Sequence, residues 1–476
     1  MLLRTVLGAP THSNSSSSPL LSDTDHAYIP HDIRAVRKKF DLEPSTQTLA
    51  ACVRCSCTYA PVVKGKKIAM YPERCNFKKY RGSRPCGQLL VKTTKAGSTR
   101  TNLPIRPFVV QSYNDFLGGL LSRPGMEEAM ERGTMLNDKH QLWDIKDGTG
   151  ITEIAGPDGK PFMDGLQRSD LRLAWSLSVD WFNPHSNKIA GKKKSVGSIA
   201  MALLNLPPSI RYKVENLYVL GVIPGPREPS LDEINHFLSP LIEFFLFAWK
   251  NGTWFTKTEQ HPEGRLARSV IAVAVNDLPA ARKVGGFAGP TAAHFCNLCW
   301  LQKSDISNIL CETWTHRTRQ EHLAAAIQWR DAETKQERDR IFKDTGVRWS
   351  ELLRLPYWDP LRFIVIDGMH NLFLGLVQFH FRDLIMIDKP ANQEGRKGTA
   401  VLAKPINPKA LENARTLWKL GASPSSLNRL SLPILEKLLE ECGKAHALDP
   451  MKKRITKMDI IQVLLVRDMY NKNGQT

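Results

Sequence analysis

The sequence predicts an α/β chain with its helices and strands mixed: one mixed sheet with helical insertions, preceded by a small cysteine-rich module. Three observations predict it. Residues 171–180 alternate apolar and small or polar side chains with period two, as a half-buried strand does, and Asp180 is expected to end it. Two more strand-like stretches follow, then a long apolar helix and a short, continuous apolar run of the kind a strand covered on both faces shows. Ahead of all this, Cys52, Cys55, Cys57, Cys75 and Cys86 crowd into one short region.

Taken in order, residues 1–48 begin Ser-, Thr- and Pro-rich without periodicity and are expected to be a disordered tail. Residues 49–140 form the cysteine-rich module with its helices. Cys52, Cys55, Cys75 and Cys86 there can close a tetrahedral zinc site, the alternative being scattered reduced thiols. Lys78, Lys79, Arg81 and Arg84 fall between the last two cysteines and would be presented to DNA phosphates if zinc held the loop. Tyr113, Phe116, Leu117, Leu120 and Leu121 recur at helical spacing, and Pro124-Gly125 separates them from a second helix. Residues 141–170, rich in Gly, Asp and Pro, are expected to be a linker.

The first core segment, 171–310, opens with Leu171, Leu173, Trp175, Leu177 and Val179 on one strand face and Arg172, Ala174, Ser176, Ser178 and Asp180 on the other. Strands are expected at 195–205 and 215–223. Ser230 opens a capping box, so the buried helix is predicted over 231–249. The run 270–275 then ends at Asn276-Asp277. Three strands, a helix and a buried strand is the element order of a ribonuclease-H-like sheet, in which the first and fourth strands are parallel neighbours. Asp180 and Asp277 would then sit at adjacent strand ends, where sites in open α/β sheets gather.

Each acid has a plain structural reading beside the functional one. Asp180 can initiate the turn before Asn183-Pro184, and Asp277 can cap the helix that Pro279 begins. Brought together, they would repel unless a cation lay between them. Mg2+ (or Mn2+) suits such oxygen ligands, and two such ions can activate a hydroxyl and stabilise the leaving oxygen of a phosphodiester.

Further on, Cys296-Asn-Leu-Cys299 supplies half of a tetrahedral zinc site, and His370, at a helix start after the strand 362–366, is read as a further ligand. Cys311, in an apolar context, is read as a core thiol. Residues 311–354 form a helical insertion, 355–390 continue the core as strand plus helix, and 391–476 are a helical segment weakly similar to SAP-type DNA modules.

The formal net charge of +19 and pI of about 9.5 favour a polyanionic partner, above all nucleic acid, and argue against hydrolysis of small phosphoesters. Lys192, Lys193 and Lys194 would border the acid pair from the loop between the first two strands. An odd number of cysteines, 9, in short-spaced groups points to metal binding or free thiols rather than a disulfide framework. No apolar run reaches the roughly 18 residues of a membrane span, and the chain is expected to be intracellular.

Several stretches together resemble Plavaka-type transposases of the CACTA superfamily, over about 52–383: Asp180-Trp-Phe-Asn-Pro-His, Ile223-Pro-Gly-Pro-Arg-Glu-Pro-Ser, Asn276-Asp277-Leu-Pro-Ala, Cys296-Asn-Leu-Cys299 and Asp367-Gly-Met-His370-Asn. The resemblance implies a nuclear aspartate-aspartate-glutamate transposase acting on element ends and target DNA, with further copies of the chain as partners. Asp180 and Asp277 match the first two acids. Cys296, Cys299 and His370 carry over as structural zinc ligands, similar to the split zinc site of the RAG recombinase, with Asp367 or His380 as the fourth. The third acid, a glutamate after a helical insertion, is assigned to none of Glu436, Glu440 and Glu441. The chain is therefore expected to be C-terminally truncated and to bind DNA without cutting it; the rival is a non-catalytic, domesticated remnant.

Overall fold

A computed structural model of the chain describes residues 32–39, 43–64, 68–96, 99–133, 142–164, 169–184, 195–385, 407–443 and 456–465. The chain divides into two units, Met1–Phe373 and Leu374–Thr476. Most of the expected N-terminal tail, and Lys192, Lys193 and Lys194, lie outside the described residues. The described residues of 32–48 include a helix α1 (Ile33–Lys39) and the start of a strand.

The first unit begins with a three-stranded antiparallel sheet in which β1 (Thr46–Ala51) lies between β2 (Thr58–Tyr59) and β7 (Pro107–Gln111). Two hairpins fill the interval, β3 (Val62–Lys64) with β4 (Ile68–Met70) and β5 (Val91–Ala96) with β6 (Thr99–Pro104). Helix α2 (Tyr113–Leu121) starts where Ser112 caps it, and α3 (Met126–Arg132) follows left-handed Gly125. The apolar face of α2, including Tyr113, Leu117, Leu120 and Leu121, enters the main core. So do Ile151, Ile154, Phe162 and Met163, which makes the Gly-, Asp- and Pro-rich stretch after α3 part of the core rather than a free connector.

The central sheet is built on β8 (Leu171–Phe182). It is flanked by antiparallel β9 (Val196–Leu203) and, beyond that, β10 (Leu217–Ile223), with parallel β12 (Arg265–Asn276) on its other side. The far edge of β12 is shared: β11 (Thr253–Phe255) pairs antiparallel with its first residues, and β13 (Ile364–Ile366) pairs parallel with its last. The strand order β10-β9-β8-β12 with β13 outermost makes the first and fourth strands parallel neighbours.

Helix α4 (Ile234–Lys250) buries Phe237, Leu238, Leu241 and Phe245 in the same core. It starts three residues later than the capping box at Ser230 predicts. The Glu233 carboxylate does accept the Ser230 amide at 2.9 Å, but it also binds Arg227 at 2.8 Å, and residues 231–233 remain a turn. After α5 (Leu278–Gly285), a helix pair α6 (Arg319–Asp331) and α7 (Lys335–Thr345) forms the insertion, each helix opened by a threonine cap. Residues 369–377 and 379–384 follow β13 as π-helical turns.

In the second unit, α8 (Pro408–Lys419), α9 (Pro424–Asn428), α10 (Leu432–Glu441) and α11 (Lys457–Leu465) close a separate small core of Ala414, Leu427, Leu435, Leu438, Leu439, Ile460, Ile461 and Leu464.

Candidate active site and metal centres

Strand register brings the two sequence-predicted acids together. The last backbone pair between β8 and β12 is Leu177 with Ala274, and Asp180 and Asp277 each lie three residues further along. Between them, buried Asn276 continues the pairing with its side chain, its Oδ1 accepting the Val179 amide at 2.6 Å. Its backbone carbonyl accepts the Asp367 amide at 2.7 Å, one residue past the Ile366–Asn276 pair. Three parallel strand ends therefore present Asp180, Asp277 and Asp367 along one edge.

The plain reading of Asp277 holds as well, whereas that of Asp180 does not, because β8 runs on through Phe182 with Asp180 paired to Ser198, inside the strand rather than at the start of a turn. Asp277 caps α5, its Oδ1 accepting the Ala280 amide at 2.7 Å, and Asp180 Oδ1 accepts the Trp181 amide at 2.8 Å. A carboxylate has two oxygens, so each keeps Oδ2 outside these bonds. That leaves one oxygen of each acid at the same sheet edge, of the kind a hard cation takes, although among the described residues Asp180, Asp277, Asp367 and His370 do not gather into a group of three at metal-binding distance. Lys283 of α5 pairs with Glu228 at 2.9 Å and lies 4.7 Å above the Trp181 ring, so it is held close to this edge.

His370 belongs to this edge. Its Nδ1 hydrogen bonds to the Asp367 carboxylate, which raises the imidazole above its ordinary value; the charges of Asp277 and Asp180 push in the same direction. The same bond, with the Met369 amide, holds the Asp367 carboxyl below the usual range. Among the described residues, His370 does not gather with Cys296 and Cys299 into a group at metal-binding distance.

The Cys296 and Cys299 thiols do face each other. The Leu298 amide donates to Cys296 Sγ at 3.4 Å, and burial, followed by the neighbouring Cys296 thiol, raises the buried Cys299 thiol. Arg317 donates to the Cys299 carbonyl at 3.1 Å. Cys311 is exposed, contrary to its expected place in a core. His380 is bonded within its own helical turn, to the Leu376 carbonyl at 3.0 Å.

The N-terminal cysteines form a tighter cluster. The ligand atoms of Cys52, Cys55, Cys75 and Cys86 all lie within 4.8 Å of one another. Lys78, Lys79, Arg81 and Arg84 are exposed on the loop between the last two. In the second unit, Glu441 is paired with Arg415 at 2.7 Å and Glu440 with Lys437 at 2.8 Å.

Sequence reasoning assigned no role to Asn276, although it is the residue that ties the three strand ends together. Its signal was only its place beside Asp277. Asp367, one of the two candidates for the fourth zinc ligand, follows β13, whose pairing with β12 puts it beside Asp277.

Residues 164–343 match the model of a family described as Transposase family tnp2. The span contains Asp180, Asp277, Cys296 and Cys299, and it supports a transposase-family protein. No curated protein matches the chain. Among the described residues, no helix is long and apolar enough to cross a membrane.

Proposed function

We propose that this chain is a transposase-derived protein of the CACTA type, close to Plavaka elements, that binds DNA in the nucleus and handles it at the edge formed by Asp180 and Asp277. The match over 164–343 supports the transposase reading. The strand order supports a ribonuclease-H-like core, because its first and fourth strands are parallel neighbours. The single observation that carries the active-site assignment is the register that sets Asp180 level with Asp277.

Asp180 and Asp277 are the residues that would hold Mg2+, or Mn2+. Bound there, the metal would supply activation of a hydroxyl and stabilisation of the leaving oxygen in strand cleavage and transfer. The protein's own part is positioning: Asn276 locks the strand ends, and the helix cap fixes one oxygen of Asp277 and leaves the other outside that bond. Lys78, Lys79, Arg81, Arg84 and Lys192, Lys193, Lys194 are assigned to the phosphate backbone of element ends and target, where contacts position a duplex without reading its sequence. Cys296 and Cys299 are assigned to a second, structural zinc site, with His370 released from that set to the acid edge.

The test is duplex binding across a salt series, with magnesium- or manganese-dependent nicking measured beside Asp180→Asn. Affinity is expected to fall with salt by a slope of roughly 0.9 for each phosphate neutralised. Metal-dependent nicking that disappears in Asp180→Asn establishes the enzyme. Salt-sensitive binding with no nicking by the unmodified chain identifies the non-catalytic remnant. Binding indifferent to salt overturns the DNA reading.

A further inference from the structure

We propose that Cys52, Cys55, Cys75 and Cys86 bind one zinc ion as four thiolates, and that this ion closes the base of the basic loop 76–85 and holds it against α6 and α7. The inference is independent of the acid edge. It stands on the geometry of the thiols and on what surrounds them.

The Sγ separations are 3.8 Å for Cys52 with Cys86 and 3.5 Å for Cys55 with Cys75. A tetrahedron of thiolates with metal–sulfur bonds of about 2.3 Å has edges of about 3.8 Å. Disulfides would need sulfurs about 2.05 Å apart, far closer than either pair. The backbone around Cys52 is shaped as a ligand knuckle: its Sγ accepts the Arg54 amide at 3.4 Å and its carbonyl accepts the Ser56 amide at 3.0 Å. Ser56 is held at a left-handed φ of 61°, which a side chain adopts only when its surroundings over-determine it. Those surroundings are present, since Ser56 is fully buried and its hydroxyl meets Arg106 at 3.2 Å and Glu233 at 3.3 Å.

Four thiolates around one divalent ion leave a net charge of about −2, and the outer shell is built to meet it. Arg106 donates to the Cys52 carbonyl at 3.3 Å and Arg227, itself paired with Glu233, to the Arg54 carbonyl at 2.8 Å, so that the knuckle carries a guanidinium and an Arg–Glu pair. Tyr59 Oη lies 3.2 Å from Cys75 Sγ. Outer partners of this kind orient ligands and tune the metal.

The loop leaves from the other two ligands. Its base is closed by Cys86 N–H to the Phe77 carbonyl and Gly87 N–H to the Cys75 carbonyl, each at 2.8 Å. At its tip, the Gly82 amide donates to the Glu333 carbonyl at 3.0 Å, where an added Cβ would stand 2.7 Å from that oxygen, and Arg338 donates to the Lys79 carbonyl. Four exposed cations on so short a loop repel one another. A covalent-strength clamp at Cys75 and Cys86 is what offsets that repulsion.

The experiment uses the full chain, purified under reducing conditions and analysed for zinc. Cys55→Ser is expected to lower zinc by one ion per chain, and Cys57→Ser, which alters the neighbouring thiol outside the set, to leave it unchanged. On the unmodified chain, alkylation mapped by mass spectrometry should find the four cysteines protected until a zinc chelator is added. Exposed Cys311 should react at once in either case. Trypsin cleavage after Lys78, Lys79 and Arg81 should accelerate roughly tenfold or more on chelation, as when local opening controls cleavage. Equal alkylation with and without chelator, full zinc in Cys55→Ser, or unchanged cleavage of the loop would overturn the proposal.

Discussion

Glu127 shows how much single side chains decide in this fold. Its carboxylate is buried and receives Arg265 at 3.0 Å and His261 Nδ1 at 2.9 Å. Burial works to raise the carboxyl, but hydrogen bonds from Thr258, the Gln260 amide and Arg265 outweigh it and hold it below the usual glutamate range. A lowered native value means the unfolded chain takes up the proton first as pH falls. The stabilisation is therefore complete above the unfolded value of about 4.3 and is lost as pH drops through the native one. Glu127→Gln should cost about 3 kcal/mol near neutral pH, the low end for a broken buried pair, because Arg265 keeps Glu131. Urea unfolding of both proteins from pH 7 to pH 3 should show the gap narrowing; a constant gap would contradict the assignment. Asn276→Leu leaves the Val179 amide without its partner and should cost about 1–3 kcal/mol in the same assay.

At the scale of elements, close approach of backbones joins the N-terminal sheet to the central one. A Cβ on Gly221 of β10 would stand 2.3 Å from the Val109 carbonyl of β7. Gly221→Ala should therefore destabilise the first unit by about 1–3 kcal/mol, the range for overpacking, and raise hydrogen exchange in β7; unchanged exchange there would contradict this packing. The elements also show what sequence could and could not reveal. Strand β8 was legible because its side chains alternate in the sequence, although Leu171 to Trp175 are buried on both faces. Only the second half of β12 was, because Arg265 and Arg268 look like surface charges until Glu127, Glu131 and Asp170 arrive from distant segments. The parallel pairing of the strand that carries Asp180 with the one that leads to Asp277 was legible through element order. His370 was not, since spacing along the chain suggested the cysteine pair, whereas β13 carries it to Asp277 and Asp180.

For the molecule as a whole, two separate cores mean two units whose stabilities can be perturbed apart. Leu438→Ala, within the small helical core, should cost about 2–5 kcal/mol in the unfolding of 407–465. It should leave metal affinity at the acid edge unchanged, since neither aspartate belongs to that core. The most direct test of the active-site assignment is Mn2+ binding to the full chain, followed by electron paramagnetic resonance in wild type, Asp180→Asn and Asp277→Asn. Saturable binding in the wild type, weakened in each variant by roughly 10-fold or more, the scale that loss of even an outer-shell partner reaches, is the predicted result. Wild-type affinity in both variants would contradict it.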